Sequence, residues 1–146
     1  MQQEYGCRLL YLCEKDPGLP DLTYDYLLYD QRKIPQLLLE GDIMIAPRPM
    51  EGIEKLAHSF TKVAYPLAVG LPAVASPVPS YVDTPVILCR NEEEWMEELV
   101  KLAQSVEERS RVGTLGREYV RQHYSLQVVG EEYCRILEKL CKTAAE

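Results

Sequence analysis

The residues whose types and spacing suit chemistry lie between positions 48 and 65. Ser59-Phe60-Thr61-Lys62 places two hydroxyls and a lysine at the start of an expected helix, after an apolar strand. A helix N-terminus presents unpaired backbone N–H groups and a partial positive charge, so the arrangement suits a phosphate-type anion. The plain alternative is a solvated lysine beside a simple Ser/Thr cap. Arg48 follows the strand expected at 42–47 and stands between Pro47 and Pro49. Two prolines stiffen that loop and would aim the guanidinium into the crevice beyond the strand's carboxyl end, where open α/β sheets bind ligands. The alternative is an exposed loop arginine. His58 could donate to a phosphate or sugar oxygen, although a lone loop histidine is more often polar surface. His123, beside the Tyr124-Ser125 break, is expected to be structural.

Other chemistries find little support. There is no Ser-His-Asp order, no G-x-S-x-G elbow and no Walker loop. The five cysteines form no C-x-x-C pair, and zinc would need close ligand pairs, so neither metal nor cofactor is expected. The cysteines are read as free thiols, buried as small hydrophobes. Cys134 and Cys141 lie two helical turns apart and share a face, which fits packing. Glu92-Glu93-Glu94 reads as acidic charge at a helix start rather than a metal site. The net charge of −7 argues against general nucleic-acid binding but leaves room for one small basic pocket. No apolar run reaches the roughly 18 residues of a transmembrane helix. The N-terminus lacks signal-peptide features, so a cytoplasmic location is expected.

The elements that must position these residues alternate. Arg8–Leu12, Tyr24–Tyr29, Asp42–Pro47, Pro72–Ser76 and Thr84–Cys89 are short apolar runs bounded by breakers, which are strand signals. The near-continuous apolar runs IMIA and PAVAS fit strands buried on both faces of a parallel sheet. Helices are expected over 32–40, 59–69, 92–103, about 105–122, and from 125 onward. Pro66 should kink the second of these. Asn91 with Glu94 and Ser105 with Glu108 make capping-box-like starts, and Ser125 caps the last helix. The connection 13–23 is too short and too rich in Pro and Gly for a full helix. The expected fold is α/β: a Rossmann-like three-layer domain over 1–142, with a mostly parallel sheet of about five strands and C-terminal helices. Residues 143–146 are expected to be a disordered tail.

The segment KVAYPLAVGLPAVASPV (62–78) resembles the signature of glycosyltransferase family 4: a lysine, a helix, then A-x-G-x-P-V-V-A-S. GDIMIAPRP (41–49) resembles the strand before that signature. Residues 91–129 resemble the family's C-terminal tail, including glycines in the penultimate helix and the Tyr-Ser start of the last. The resemblance covers roughly 24–140. It implies the donor-binding C-terminal domain of a GT-B enzyme, which transfers a sugar from a nucleotide diphosphate sugar and needs no metal. Lys62 would hold donor phosphate, with Thr61, Ser59, Arg48, His58 and Tyr65 around it. Tyr29, Asp30 and Gln31 fall near the expected nucleobase rim.

The resemblance also implies a separate N-terminal acceptor domain, and one more strand and helix before the first strand seen here. An open sheet edge left by that strand is prone to self-association, so a homodimer is among the expected partners. Where the family has two glutamates, this chain has Tyr65 and Ala57. Tyrosine cannot accept hydrogen bonds from two adjacent ribose hydroxyls as a carboxylate does. Glu51 and Glu54 stand nearby at the wrong spacing, and Met50–His58 would cover the site. The catalytic residues are therefore unassigned, and activity from this chain alone is not expected. A non-catalytic scaffold or oligomerisation module of the same fold stays open beside the donor-binding reading. A flavodoxin-like or receiver-like domain is less favoured, because no clustered acids mark a receiver site.

Overall fold

The computed structural model describes residues 2–52 and 57–143. The chain forms a mixed α/β fold with two small parallel sheets and a helical C-terminal half. A short helix α1 (Gln2–Tyr5) precedes β1 (Leu10–Cys13) and β2 (Asp25–Leu28). A 3-10 turn at Gln31–Lys33 leads into α2 (Ile34–Leu38). Next come β3 (Met44–Ala46), α3 (Thr61–Val69), β4 (Ala73–Ala75), a 3-10 turn at Pro79–Tyr81, and β5 (Ile87–Leu88). Helices α4 (Glu92–Gln104), α5 (Val106–Tyr124) and α6 (Leu126–Thr143) complete the chain.

Each expected strand is present in shortened form, but the strands do not share one sheet. β1 pairs with β2, while β3, β4 and β5 form a separate sheet in that order. Every pair is parallel. The expectation of one sheet of about five strands is thus corrected: no described backbone ladder joins β1 to β3. Alternation and apolar runs locate strands, but they say nothing of which strand bonds to which.

β4 shows why the second sheet reads as uninterrupted apolar sequence. Ala73 and Ala75 are fully buried in one cluster with Val63 and Leu67 of α3. Val74, between them, is fully buried in another cluster with Leu102 of α4 and Cys89. Helices therefore cover both faces of this sheet, and alternate residues pack in opposite directions.

The helix boundaries follow local chemistry. Asn91 accepts the Glu94 N–H at 2.9 Å, and Ser105 accepts the Glu108 N–H at 3.0 Å, as the capping patterns predict. Ser125 accepts more weakly from the Val128 N–H at 3.4 Å. Pro35 sits in the first turn of α2, which is shorter than expected because residues 31–33 wind as the 3-10 turn. Pro66 lies inside α3 and removes the N–H that would bond to the Lys62 carbonyl. Its ring is fully buried, so packing offsets that loss.

Glycines let α3 and α5 approach. Gly70 ends α3 with φ of 87°, the left-handed region that glycine adopts without strain. A Cβ on Gly113 would lie 1.9 Å from the Gly70 carbonyl oxygen, and one on Gly116 would lie 2.5 Å from Leu67. Arg117 then donates to the Val69 carbonyl at 2.7 Å, closing the C-terminus of α3. The five cysteines are free, as expected, but only Cys89 is buried; Cys134 and Cys141 are exposed on α6. α6 continues to Thr143, so the tail expected from 143 does not begin there; residues 144–146 lie outside the described residues.

Candidate anion-binding site

The site begins at the carboxyl ends of β3 and β4. Ser76 is 5% exposed and stands alone as a hydroxyl among apolar neighbours. Its Oγ accepts the Arg48 N–H at 2.8 Å and donates to the Arg48 carbonyl at 3.1 Å. Both backbone groups of Arg48, two residues beyond β3, are thereby satisfied by one side chain at β4's exit. That clamp, rather than the two flanking prolines alone, holds Arg48 at the crevice.

The Arg48 side chain is half-buried, and its Nε has no hydrogen-bond partner among the described residues. Tyr81 lies close by at full burial, with its hydroxyl facing the Arg48 side chain. Burial pushes the Tyr81 phenol up, while the Arg48 charge beside it pulls the other way. Two buried polar groups thus face each other at this one corner of the fold.

Helix α3 starts beside them, but not as the hydroxyl pattern suggested. Phe60 occupies the N-cap with φ −62° and ψ −19°, and no side chain caps the helix. Ser59 and Thr61 are exposed and do not close the first turn. Phe60 instead anchors the turn in the core, edge-on to Tyr119 at 5.8 Å and stacked on Tyr124 at 4.9 Å. Its carbonyl takes the N–H groups of Val63 and Ala64. The Thr61 and Lys62 amides precede those bonds and lie at the uncapped end, where the helix dipole is positive.

Lys62 is exposed as a residue, yet the surrounding protein removes enough water from its ammonium to lower the pKa, and the Arg48 charge lowers it further. Neither cation has an ion-pair partner among the described residues. Arg48, Lys62 and the uncapped helix end thus put positive charge together, and neither side chain is ion-paired with a carboxylate among the described residues. A bound anion would relieve the repulsion between the two side chains.

The remaining candidates fall around this core less tightly. His58 is half-buried, and its carbonyl accepts the Ser80 hydroxyl at 2.5 Å, tying the segment before α3 to the turn that carries Tyr81. Tyr65 is 52% exposed, about one turn along α3 from Lys62. Tyr29 and Asp30 follow β2, in the other sheet; the Asp30 carboxylate accepts the Arg32 N–H at 3.0 Å and pairs with Lys33 at 3.9 Å. Of the loop expected to cover the site, Glu54 lies outside the described residues and Glu51 is exposed. No described group of His, Cys, Asp and Glu could hold a metal ion. Sequence reasoning missed Ser76, Tyr81 and Phe60. The lone hydroxyl closing an apolar strand was a signal for Ser76; Tyr81 carried none.

A mixed α/β fold with small parallel sheets and two neighbouring cations near the strand ends is the class that fold and site define. No protein-family model matches the chain, and no curated protein matches it in sequence. No described helix is long and apolar enough to cross a membrane.

Proposed function

We propose that the chain is a donor-binding domain of the glycosyltransferase family 4 type, holding the diphosphate of a nucleotide diphosphate sugar between Arg48, Lys62 and the N-terminus of α3. One observation supports this reading: two cations converge on an uncapped helix end, neither with an ion-pair partner among the described residues. A diphosphate accepts from backbone N–H groups and from guanidinium and ammonium at once. Transfer would need an acceptor domain and a catalytic group that this chain has not been assigned.

A non-catalytic role is the second reading, favoured by Tyr65 and Ala57 at the positions of the family's two glutamates. Calorimetric titration with UDP, GDP and their sugars tests the proposal. Binding of one nucleotide, weakened at least tenfold by Lys62→Ala and by Arg48→Ala, supports it. Absence of binding at millimolar nucleotide, by a chain whose fold is verified spectroscopically, sinks it in favour of the scaffold.

A further inference from the structure

We infer that Tyr81 is a positioning residue for the anion site, its buried hydroxyl bracing the Arg48 guanidinium so that the remaining N–H groups point at the ligand. The inference rests on the reading of Arg48 as an anion ligand and adds the group that orients it.

The Ser76 hydroxyl fixes only the Arg48 backbone, at 2.8 and 3.1 Å. An arginine side chain has several free torsions beyond that point, and ordering them on binding costs affinity. Among the described residues no carboxylate pairs with Arg48, yet its Nε is shielded from solvent. The group that faces it there is Tyr81.

Tyr81 is itself held on every side. Its ring is fully buried in the cluster that contains Ala46, Phe60 and Val63. Its N–H donates to the Val78 carbonyl at 3.0 Å, and its carbonyl accepts the Thr84 hydroxyl at 2.6 Å. The Val78 N–H in turn donates to the Ser76 carbonyl at 2.8 Å. One short stretch thus carries both the serine that fixes the Arg48 backbone and the tyrosine that meets its side chain. The chemistry of the pair has one direction, because a guanidinium only donates and a phenol oxygen can accept. A carboxylate in the same place would orient Arg48 but cancel its charge. A phenol orients it and leaves the charge for the ligand, and burial keeps that phenol in its neutral form at neutral pH.

Calorimetric titration of the full chain with inorganic pyrophosphate, and heteronuclear NMR of the Arg48 Nε–H, test the inference. In the wild type that proton should exchange slowly with water; fast exchange overturns the inference without any variant. Tyr81→Phe keeps the buried ring and removes the hydroxyl. It should speed the exchange and weaken pyrophosphate binding by about threefold or more. Lysine carries a compact charge that needs no planar orientation, so Tyr81→Phe should leave the affinity of the Arg48→Lys chain unchanged. Equal losses in both backgrounds mean a structural effect and overturn the inference. Wild-type and Tyr81→Phe chains that bind alike overturn it alone and leave the anion reading standing. A wild type that binds no pyrophosphate overturns both.

Discussion

Ser76 and Arg48 grip each other across the ends of β4 and β3, the serine hydroxyl accepting the arginine N–H at 2.8 Å and donating to its carbonyl at 3.1 Å. Ser76→Ala leaves two backbone groups at a half-buried position without partners. It is expected to destabilise the fold by about 1–3 kcal/mol. It should also loosen the Arg48 loop and weaken anion binding. Urea denaturation and a phosphate or nucleotide titration of the same variant check both; unchanged stability would mean the clamp is replaceable by water.

The contact between α3 and α5 has no room for a side chain at Gly113. Gly113→Ala sets a methyl group on the Gly70 carbonyl and is expected to cost about 1–3 kcal/mol, as overpacking does. Gly130 is the matched control. Its Cβ would enter open space, so Gly130→Ala should stabilise the single chain by up to about 1 kcal/mol through helix propensity alone. Thermal unfolding at low protein concentration separates the two signs.

Lys62 is expected to couple anion binding to protons. Its pKa is lowered in the folded chain by burial first and by Arg48 second. Between that lowered value and the ordinary lysine value, the unfolded chain holds more protons, so stability rises with pH across the window. A phosphate beside Lys62 pulls the pKa back up, and binding in that window takes up a proton. Titrations in buffers of different ionisation enthalpy should report the uptake, and Lys62→Met should abolish it.

Glu108 contributes acid sensitivity through the α4–α5 corner. Arg111 first, and then Lys101, hold its carboxylate at a pKa of about 2. A depressed carboxyl pKa stabilises the fold fully above the ordinary carboxylate range, and that contribution fades as pH falls toward about 2. Glu108→Gln should lower stability at neutral pH and flatten the loss between there and acid. Equal slopes for variant and wild type below pH of about 4 would contradict the assignment.

Tyr65 tests the donor reading at the ribose. Tyr65→Glu restores a carboxylate one turn after Lys62, and it should tighten nucleotide binding by about tenfold, the worth of one charged hydrogen bond. The gain should vanish with a 2′,3′-dideoxynucleotide. A gain that persists without the hydroxyls would place the new charge away from the ribose.

Several elements were legible because their causes are local. Asn91 with Glu94, and Ser105 with Glu108, close hydrogen bonds within one turn, and both helix starts fell where the pattern put them. Arg48 and Lys62 were legible as cations following a strand and opening a helix. The cap of α3 was not, because Phe60 holds that turn by packing on Tyr119 and Tyr124, residues far along the chain. The same distance hid Tyr81, whose burial beside Arg48 depends on the turn after β4 folding back over β3.

By itself, then, the order of residues determined roughly where strands and helices lie and which residues are cations near strand ends. Those properties follow from periodicity and local capping. Tertiary structure alone decided that the strands divide between two sheets, that Ser76 clamps Arg48, and that α6 leaves its apolar face uncovered. Strand pairing and side-chain burial are non-local, set by which surfaces compete for one another once the chain collapses, and no short window of sequence contains that competition.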